Sequence, residues 1–322
     1  MSDRLTIGVI GAGSTGASWA GLFAAFGHEV RLFDARPEVA LRAVERAAAA
    51  ARFLVDKGLA EKEPAGRGVS MLASATTLGA AVTGTFLVQE CVTDSVELKQ
   101  AIFAEVSRAA PDDALIATSS SGLSITAIQR DAHLPGRTLA AHPYNPPHLI
   151  PLVELMPGEL TDAATIDRAR SFFSSVGREP VVLTRDVPGY IANRISAALW
   201  REAIELVRSG VATVEDVDRA ICYGPGLRWA VMGPHLIYHL GGGEGGLRAH
   251  MAHLTATKER MLRDLADWTT FPSDATDIIY EGVQAECGGR PIAELQAERD
   301  EALVAVVKAL RELRHGSVDL KE

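Results

Sequence analysis

Cysteine is scarce in this chain. Cys91, Cys222 and Cys287 are three among 322 residues, too few and too far apart for a disulfide framework or a thiolate metal site. They read as reduced, mostly buried thiols of a cytoplasmic protein. Basic charge is also in deficit: 32 lysines and arginines against 41 acidic residues leave a net charge of -9, and no run of cationic residues gathers a local field. Nucleic acid, which is held first through its phosphates, is therefore not an expected partner. No uninterrupted apolar stretch approaches bilayer-spanning length, so no membrane partner is expected. After MSDR the chain enters a strand-like run without the basic and apolar segments of a leader peptide. What remains is 47% hydrophobic and 23% charged, the composition of a globular protein long enough for two domains.

Short β-branched or apolar runs alternate with longer helix-patterned stretches from Leu5 to about Leu183, the signature of a mostly parallel sheet with crossover helices. The candidate strands are LTIGVI (5–10), EVRLFD (29–34), GVSMLA (68–73), GTFLVQ (84–89), ALIATS (114–119), RTLAAH (137–142), PLVELM (151–156) and EPVVLT (179–184). The alanine-rich segment 37–58 reads as one long helix ended by glycine. Past VPGY (187–190) the strand pattern gives way to periodic helices, among them 191–210 and the threonine-capped 213–224. The expected architecture is α/β: an N-terminal Rossmann-type, doubly wound domain over 1–186, then an all-α domain over 187–322. GGGEGG (241–246) reads as a flexible loop. The last forty or so residues read as helix running into a charged tail expected to fray.

The first chemical signal is GAGSTG. Gly11, Gly13 and Gly16 follow a strand and open a helix, and a second strand ends at Asp34, about twenty residues on. In a dinucleotide-binding unit Gly11 permits the tight turn, Gly13 admits the pyrophosphate to the backbone, and Gly16 lets helix and strand pack closely. The pyrophosphate would lie among the free N–H groups of the helix start, at Gly13, Ser14 and Thr15. Asp34 would take the ribose hydroxyls and repel a 2′-phosphate, favouring NAD over NADP.

The second signal is HPYNPPHLIPLVEL, in which four prolines stiffen the chain between His142 and Glu154. His142 ends a predicted strand, where ligands collect in open α/β sheets, and an imidazole there is placed to take a hydroxyl proton. A glutamate on the other ring nitrogen would fix the tautomer and stabilise the imidazolium.

With GAGSTG, SSSGL (119–123), HPYNP through Glu154, and PGYIANR (188–194) in this order, the chain resembles the 3-hydroxyacyl-CoA dehydrogenase family over nearly its whole length. The resemblance implies an NAD-dependent oxidoreductase acting on a CH–OH group, with His142 and Glu154 as the catalytic dyad and Ser121 and Asn193 assisting at the substrate oxygen. It implies that Glu90 and Lys99, in QECVTDSVELK, lie near the nicotinamide half of the cofactor. It also implies a homodimer through the helical domain. The family usually has glutamate at Asp94, asparagine at Ser119 and phenylalanine in place of the tyrosine of PGY. Taken without the resemblance, Lys99 reads equally as a solvated helix lysine.

Within the family, QECV and HPxNPPxxIPLVEL are similar to lambda-crystallin and the L-gulonate-oxidising members, whereas ALWREA, GVAT and PGLRWAVMG are similar to the carnitine-oxidising members. The substrate implied is a short L-3-hydroxy acid oxidised to its 3-oxo acid, carnitine first, with L-gulonate or a 3-hydroxyacyl-CoA or polyketide β-keto compound as alternatives. A non-catalytic, crystallin-like structural protein is a further alternative. Carnitine would need an aromatic face for its trimethylammonium group, from Tyr144, Trp200, Trp229 or Tyr238, and a cation for its carboxylate, from Arg194 or Arg228. His235, His239, His250 and His253 stand at helical spacing without an HExxH pattern or a clear carboxylate ligand. They read as packing or subunit-contact residues, and no metal is expected.

Overall fold

A computed structural model describes residues 4–316; the charged tail from 317 onward lies outside the described residues. The chain divides into two compact units with the break between Arg194 and Ile195.

The first unit holds an eight-stranded sheet: β1 (Thr6–Ile10), β2 (Glu29–Phe33), β3 (Leu72–Ser74), β4 (Leu87–Glu90), β5 (Leu115–Thr118), β6 (Thr138–Pro143), β7 (Leu152–Pro157) and β8 (Glu179–Val182). Their spatial order is β3-β2-β1-β4-β5-β6-β7-β8. Every neighbouring pair is parallel except β6 and β7, which pair antiparallel and so turn the last two strands against the rest. The helices of this unit are α1 (Ser14–Ala25), α2 (Pro37–Asp56), α3 (Lys62–Ser70), α4 (Leu78–Val82), α5 (Val96–Ala109), α6 (Ile125–Ile128) and α7 (Ala163–Ser175).

The two-residue period of a strand sorts the side chains onto two faces. On one face Ile10, Val88, Ile116, Ala140 and Met156 join Phe103 and Val106 of α5 in a buried cluster. Stepping two residues along the same strands puts Glu90, Thr118, His142 and Glu154 on that same face. On the other face α1 comes close to Val9, and Trp19 meets Phe23 and Phe173 at ring-centroid distances of 5.3 and 5.5 Å. Burying each such side chain contributes about 1.5–3 kcal/mol.

The strand expected at 68–73 is corrected: residues 68–70 close α3, and only Leu72–Ser74 pair, alongside β2. Gly68 explains the difference. A Cβ there would stand 2.0 Å from the carbonyl oxygen of Ala24, so the glycine serves helix contact between α3 and the end of α1 rather than a strand.

The second unit is helical. Its helices are α8 (Ala192–Arg208), which begins just before the break, α9 (Val214–Ile221), α10 (Leu227–Val231), α11 (Pro234–Leu240), α12 (Gly246–Asp264), α13 (Ala275–Cys287) and α14 (Ile292–Gly316). Thr213 caps α9 by accepting the Asp216 N–H at 3.1 Å. The GGGEGG segment is not a loose loop. Gly243–Gly245 form a 3-10 turn, and a Cβ on Gly242 would meet the Gly246 carbonyl oxygen at 1.7 Å, so the chain crosses itself tightly there. Of the cysteines, all free, Cys91 and Cys287 are half-buried but Cys222 is exposed, against the expectation of mostly buried thiols: it lies in a kinked turn after α9 that buries no residue. No described helix is long and apolar enough to cross a membrane.

A Gly68→Ala substitution is expected to force α1 and α3 apart and to lower stability by about 1–3 kcal/mol, the usual penalty for an overpacked contact. Urea unfolding followed by circular dichroism measures it, and an unchanged midpoint would show that the helix pair tolerates the methyl group.

Candidate active site

Glu154 stands directly across the antiparallel ladder from His142. The pair is thus a cross-strand neighbour on one face of the sheet, and His142 Nδ1 lies 3.1 Å from Glu154 Oε2. Pro143 ends β6, and Pro146, Pro147 and Pro151 occupy the connection to β7, where the Asn145–Pro146 bond is cis and Arg178 donates to the carbonyls of Pro147 and Ile150. Glu154 Oε1 accepts the backbone N–H groups of Ile191 and Ala192 at 2.8 and 3.0 Å. These belong to the start of α8, whose first amides have no partner within the helix.

Burial pushes the Glu154 carboxyl upward, but the hydrogen bonds from His142, Ala192 and Ile191 outweigh it and hold the group below the usual carboxylate range. An ionised Glu154 only accepts hydrogen bonds. His142 must then donate from Nδ1, which leaves the lone pair on Nε2. The geometry therefore makes a one-proton acceptor with a carboxylate behind it.

The second pair is Asn193 and Ser121: Asn193 Nδ2 donates to Ser121 Oγ at 3.0 Å. With its oxygen already accepting, the serine hydroxyl has its own proton to give. The two pairs are linked by the segment between them. Gly189 N–H donates to the Ser121 carbonyl at 3.0 Å, and the Tyr190 ring meets the His142 imidazole edge to face, 5.7 Å between centroids at 77°. Gly189 and Tyr190 both adopt left-handed backbone, with φ of 76° and 48°. For tyrosine this conformation costs about 1–2 kcal/mol. Sequence reading passed over Tyr190; its one signal was a tyrosine in place of the phenylalanine usual to that motif.

The glycine turn has the form that a dinucleotide requires. Gly11 has φ of 94°, and a Cβ there would strike Cys91 at 2.7 Å, while a Cβ on Gly16 would strike the Gly11 carbonyl oxygen at 2.0 Å. Gly13, by contrast, has nothing within 4 Å of a built Cβ, so the start of α1 is open on that side. Ser14, Thr15 and Gly16 begin α1 without a side-chain cap and without an acidic residue in the first turn, leaving amide donors for an anion. Asp34 closes β2 beside them and accepts the N–H groups of Ala12 and Arg36, both at 3.0 Å. Arg36 Nε stands 3.5 Å from it but is largely in solvent. These groups fit an NAD diphosphate and ribose.

Lys99 is not a solvated lysine. It and Glu90 are each 1% exposed, with Nζ 2.8 and 2.9 Å from the two carboxylate oxygens, 3.0 Å from the Val92 carbonyl and 3.4 Å from Asp94 Oδ1. Glu90 Oε2 also accepts from Thr118 Oγ1 at 2.6 Å. Lys99 and Asp94 share a cavity of about 310 Å³ with Thr15, Cys91, Val92 and Ser119–Ser121. Thr15 of the glycine turn and Ser121 of the second pair therefore line one space. In its floor Cys91 contacts Ser119 Oγ at 3.2 Å, and burial pushes its thiol up to about 12.

The residues expected around a substrate fall in both units. In the first unit Tyr144 is half-buried, and Arg194 is exposed with Nη1 3.4 Å from the Pro188 carbonyl. In the second unit Trp200 packs edge-on against Phe271 at 5.6 Å, and Phe271 meets Trp268 at 5.4 Å, an aromatic group not foreseen from the sequence. Arg228 instead lines a mostly apolar cavity of about 600 Å³ with Leu227, Val231 and Met232, and Trp229 beside it on α10 is exposed. Tyr238 stacks on His250 at 5.0 Å and lies under Lys258, while His239 Nδ1 accepts the Leu247 N–H. Among the described residues no three His, Cys, Asp or Glu side chains gather as metal ligands.

Residues 6–187 match the NAD-binding domain of 3-hydroxyacyl-CoA dehydrogenase, and residues 189–282 match the C-terminal domain of the same enzyme family. The chain is 39% identical to the L-carnitine dehydrogenase of Streptomyces griseus, covering 95% of this chain and 90% of the relative. It is 40% identical to that of Streptomyces coelicolor, covering 94% of each. Among solved structures, 5-formyl-3-hydroxy-2-methylpyridine 4-carboxylic acid 5-dehydrogenase, an NAD-dependent dismutase, superposes with a TM-score of 0.81 at 29% identity, over 96% of this chain and 99% of that one. Two domain matches in the right order, on a glycine turn and a histidine–glutamate pair that already have the required geometry, establish that the chain belongs to the 3-hydroxyacyl-CoA dehydrogenase family.

Proposed function

We propose that the protein is an NAD-dependent dehydrogenase that oxidises a short L-3-hydroxy acid to its 3-oxo acid, with L-carnitine as the substrate. The observation that carries the reaction class is the His142–Glu154 pair, an imidazole whose Nδ1 proton is held by a carboxylate. When bound, NAD supplies the hydride acceptor. His142 Nε2 takes the proton of the 3-hydroxyl, and Glu154 stabilises the imidazolium that results. The Ser121 hydroxyl, fixed by Asn193, donates to the substrate oxygen. The amides of Gly13, Ser14 and Thr15 hold the diphosphate, Asp34 the adenosine ribose, and Glu90 with Lys99 shapes the nicotinamide end.

Support for carnitine comes from its dehydrogenases at 39 and 40% identity over nearly the whole chain. In the second unit the exposed aromatic group of Trp200 and Phe271, and Trp229, offer a face to a quaternary ammonium ion, with Arg228 as a carboxylate partner; in the first unit Tyr144 and Arg194 offer the same two chemistries. We place the enzyme in the cytoplasm, in keeping with its free thiols. Residues 187–322 are proposed as the substrate and dimerisation domain of a homodimer. Support is the apolar surface of the second unit, where Ile195, Leu227, Val231, Leu240, Leu262 and Ile292 are each more than half exposed. A surface of that extent calls for a cover, and a second copy supplies one.

NADH absorbance with NAD and L-carnitine, L-gulonate, 3-hydroxybutyrate and 3-hydroxybutyryl-CoA tests the assignment: saturable turnover is expected on L-carnitine, and turnover confined to another member of the panel would replace it. His142→Ala is expected to lower kcat by roughly 10²–10⁴ while NADH binding, read by fluorescence, stays near wild type. Asp34→Ala should weaken NAD by about 1.5–3 kcal/mol and narrow the preference over NADP; unchanged cofactor selectivity would remove Asp34 from the ribose. Sedimentation equilibrium should return twice the chain mass, and a monomer at micromolar concentration would refute the homodimer.

A further inference from the structure

Tyr190 joins features that its neighbours in the motif do not explain. It is 1% exposed although it occupies a left-handed backbone conformation that glycine adopts more easily. Its N–H donates to the Val187 carbonyl at 3.1 Å, closing a turn that starts at Val187 and contains the Ser121-bound Gly189. The two residues after it supply the N–H groups that saturate Glu154 Oε1, so that only Oε2 remains for His142. Its ring stands edge to face against the imidazole, and the residue belongs to the buried cluster that also contains Phe103, Ile125 and Leu183. The phenol oxygen is buried without a hydrogen-bond partner among the described residues. The ring is therefore the part that works, and the hydroxyl contributes no bond.

We propose that Tyr190 is a positioning residue: its ring blocks rotation of the His142 imidazole away from Glu154, while the turn at its backbone aims the amides of Ile191 and Ala192 at the same carboxylate. A half-turn of the imidazole about its Cβ–Cγ bond would set Cδ2 in place of Nδ1 against Glu154, and a swing of the ring out of its plane would also end the bond. The cross-strand register brings the carboxylate within reach, and the edge contact holds the ring plane in which Nδ1 meets Glu154; a ring freed from it loses that bond and with it the bias toward the Nδ1–H tautomer. This inference rests on the dyad reading given above for its consequence in turnover, though not for its geometry.

The test compares Tyr190→Leu, which keeps most of the buried bulk and removes the aromatic edge, with Tyr190→Phe, which keeps the edge and removes the unpaired hydroxyl. Folding of both is checked by circular dichroism. The tautomer of His142 is read by ¹⁵N NMR at neutral pH, its signal assigned by its absence in His142→Ala. The Nδ1–H form is expected to dominate in the wild type and in Tyr190→Phe, and to give way to a mixture in Tyr190→Leu. In parallel kcat should fall roughly tenfold to a hundredfold in Tyr190→Leu with the KM for NAD unchanged, and Tyr190→Phe should restore it. A single unchanged tautomer in a folded Tyr190→Leu protein overturns the proposal, as does a Tyr190→Phe variant as impaired as the leucine one. Wild-type turnover in His142→Ala would instead sink the dyad reading and leave the tautomer result to stand on its own.

Discussion

The antiparallel pairing of β6 with β7 is the constraint from which the site follows. In a sheet otherwise parallel along its length up to β6, this one reversal sets His142 directly opposite Glu154, on the face shared with the buried cluster around Val88 and Ile116. A slip of one residue in that register would send Glu154 to the other face and end the contact. The same side-chain period that builds the core thus delivers the two groups to each other. What the strands cannot provide is the second half of the carboxylate's environment. That comes from the first amides of α8, whose free donors and dipole favour a negative charge.

A second reservoir of charge is solved differently. Glu90 and Lys99 are both buried, an arrangement that stabilises a protein only when the remaining lone pairs and protons are also bound. Here they are: Lys99 reaches both carboxylate oxygens, the Val92 carbonyl and Asp94, and Thr118 adds a donor to Glu90. Glu90 ends β4, and Lys99 of α5 lines the same cavity as Thr15 and Ser121.

Glycine divides its work between these regions. At Gly11 and Gly16 it allows backbone to meet backbone where a nucleotide has to pass. Gly68 performs the same service for two helices, far from any chemistry, and Gly242 for a crossing in the second unit. Composition alone does not separate these uses, since each is decided by what lies opposite the missing Cβ.

Legible in the chain itself were the alternation of strands and helices, the glycine turn with Asp34, and the spacing of His142 and Glu154, because these rest on local periods and on short fixed spacings; Ser121 and Asn193 were implied only by the resemblance of their motifs to the family. The sequence was misleading at 68–73, where a β-like run serves helix packing, and at 241–246, where glycines form a tight turn, and it left Lys99 open, because helical spacing cannot reveal that a carboxylate waits inside. Tertiary structure alone decided the reversal at β7, the clasp of Glu154 by Ile191 and Ala192, and the contact of Tyr190 with His142. Each of these joins segments distant in the chain, and hydrogen bonds or ring contacts between such segments leave no periodic mark in either partner's sequence.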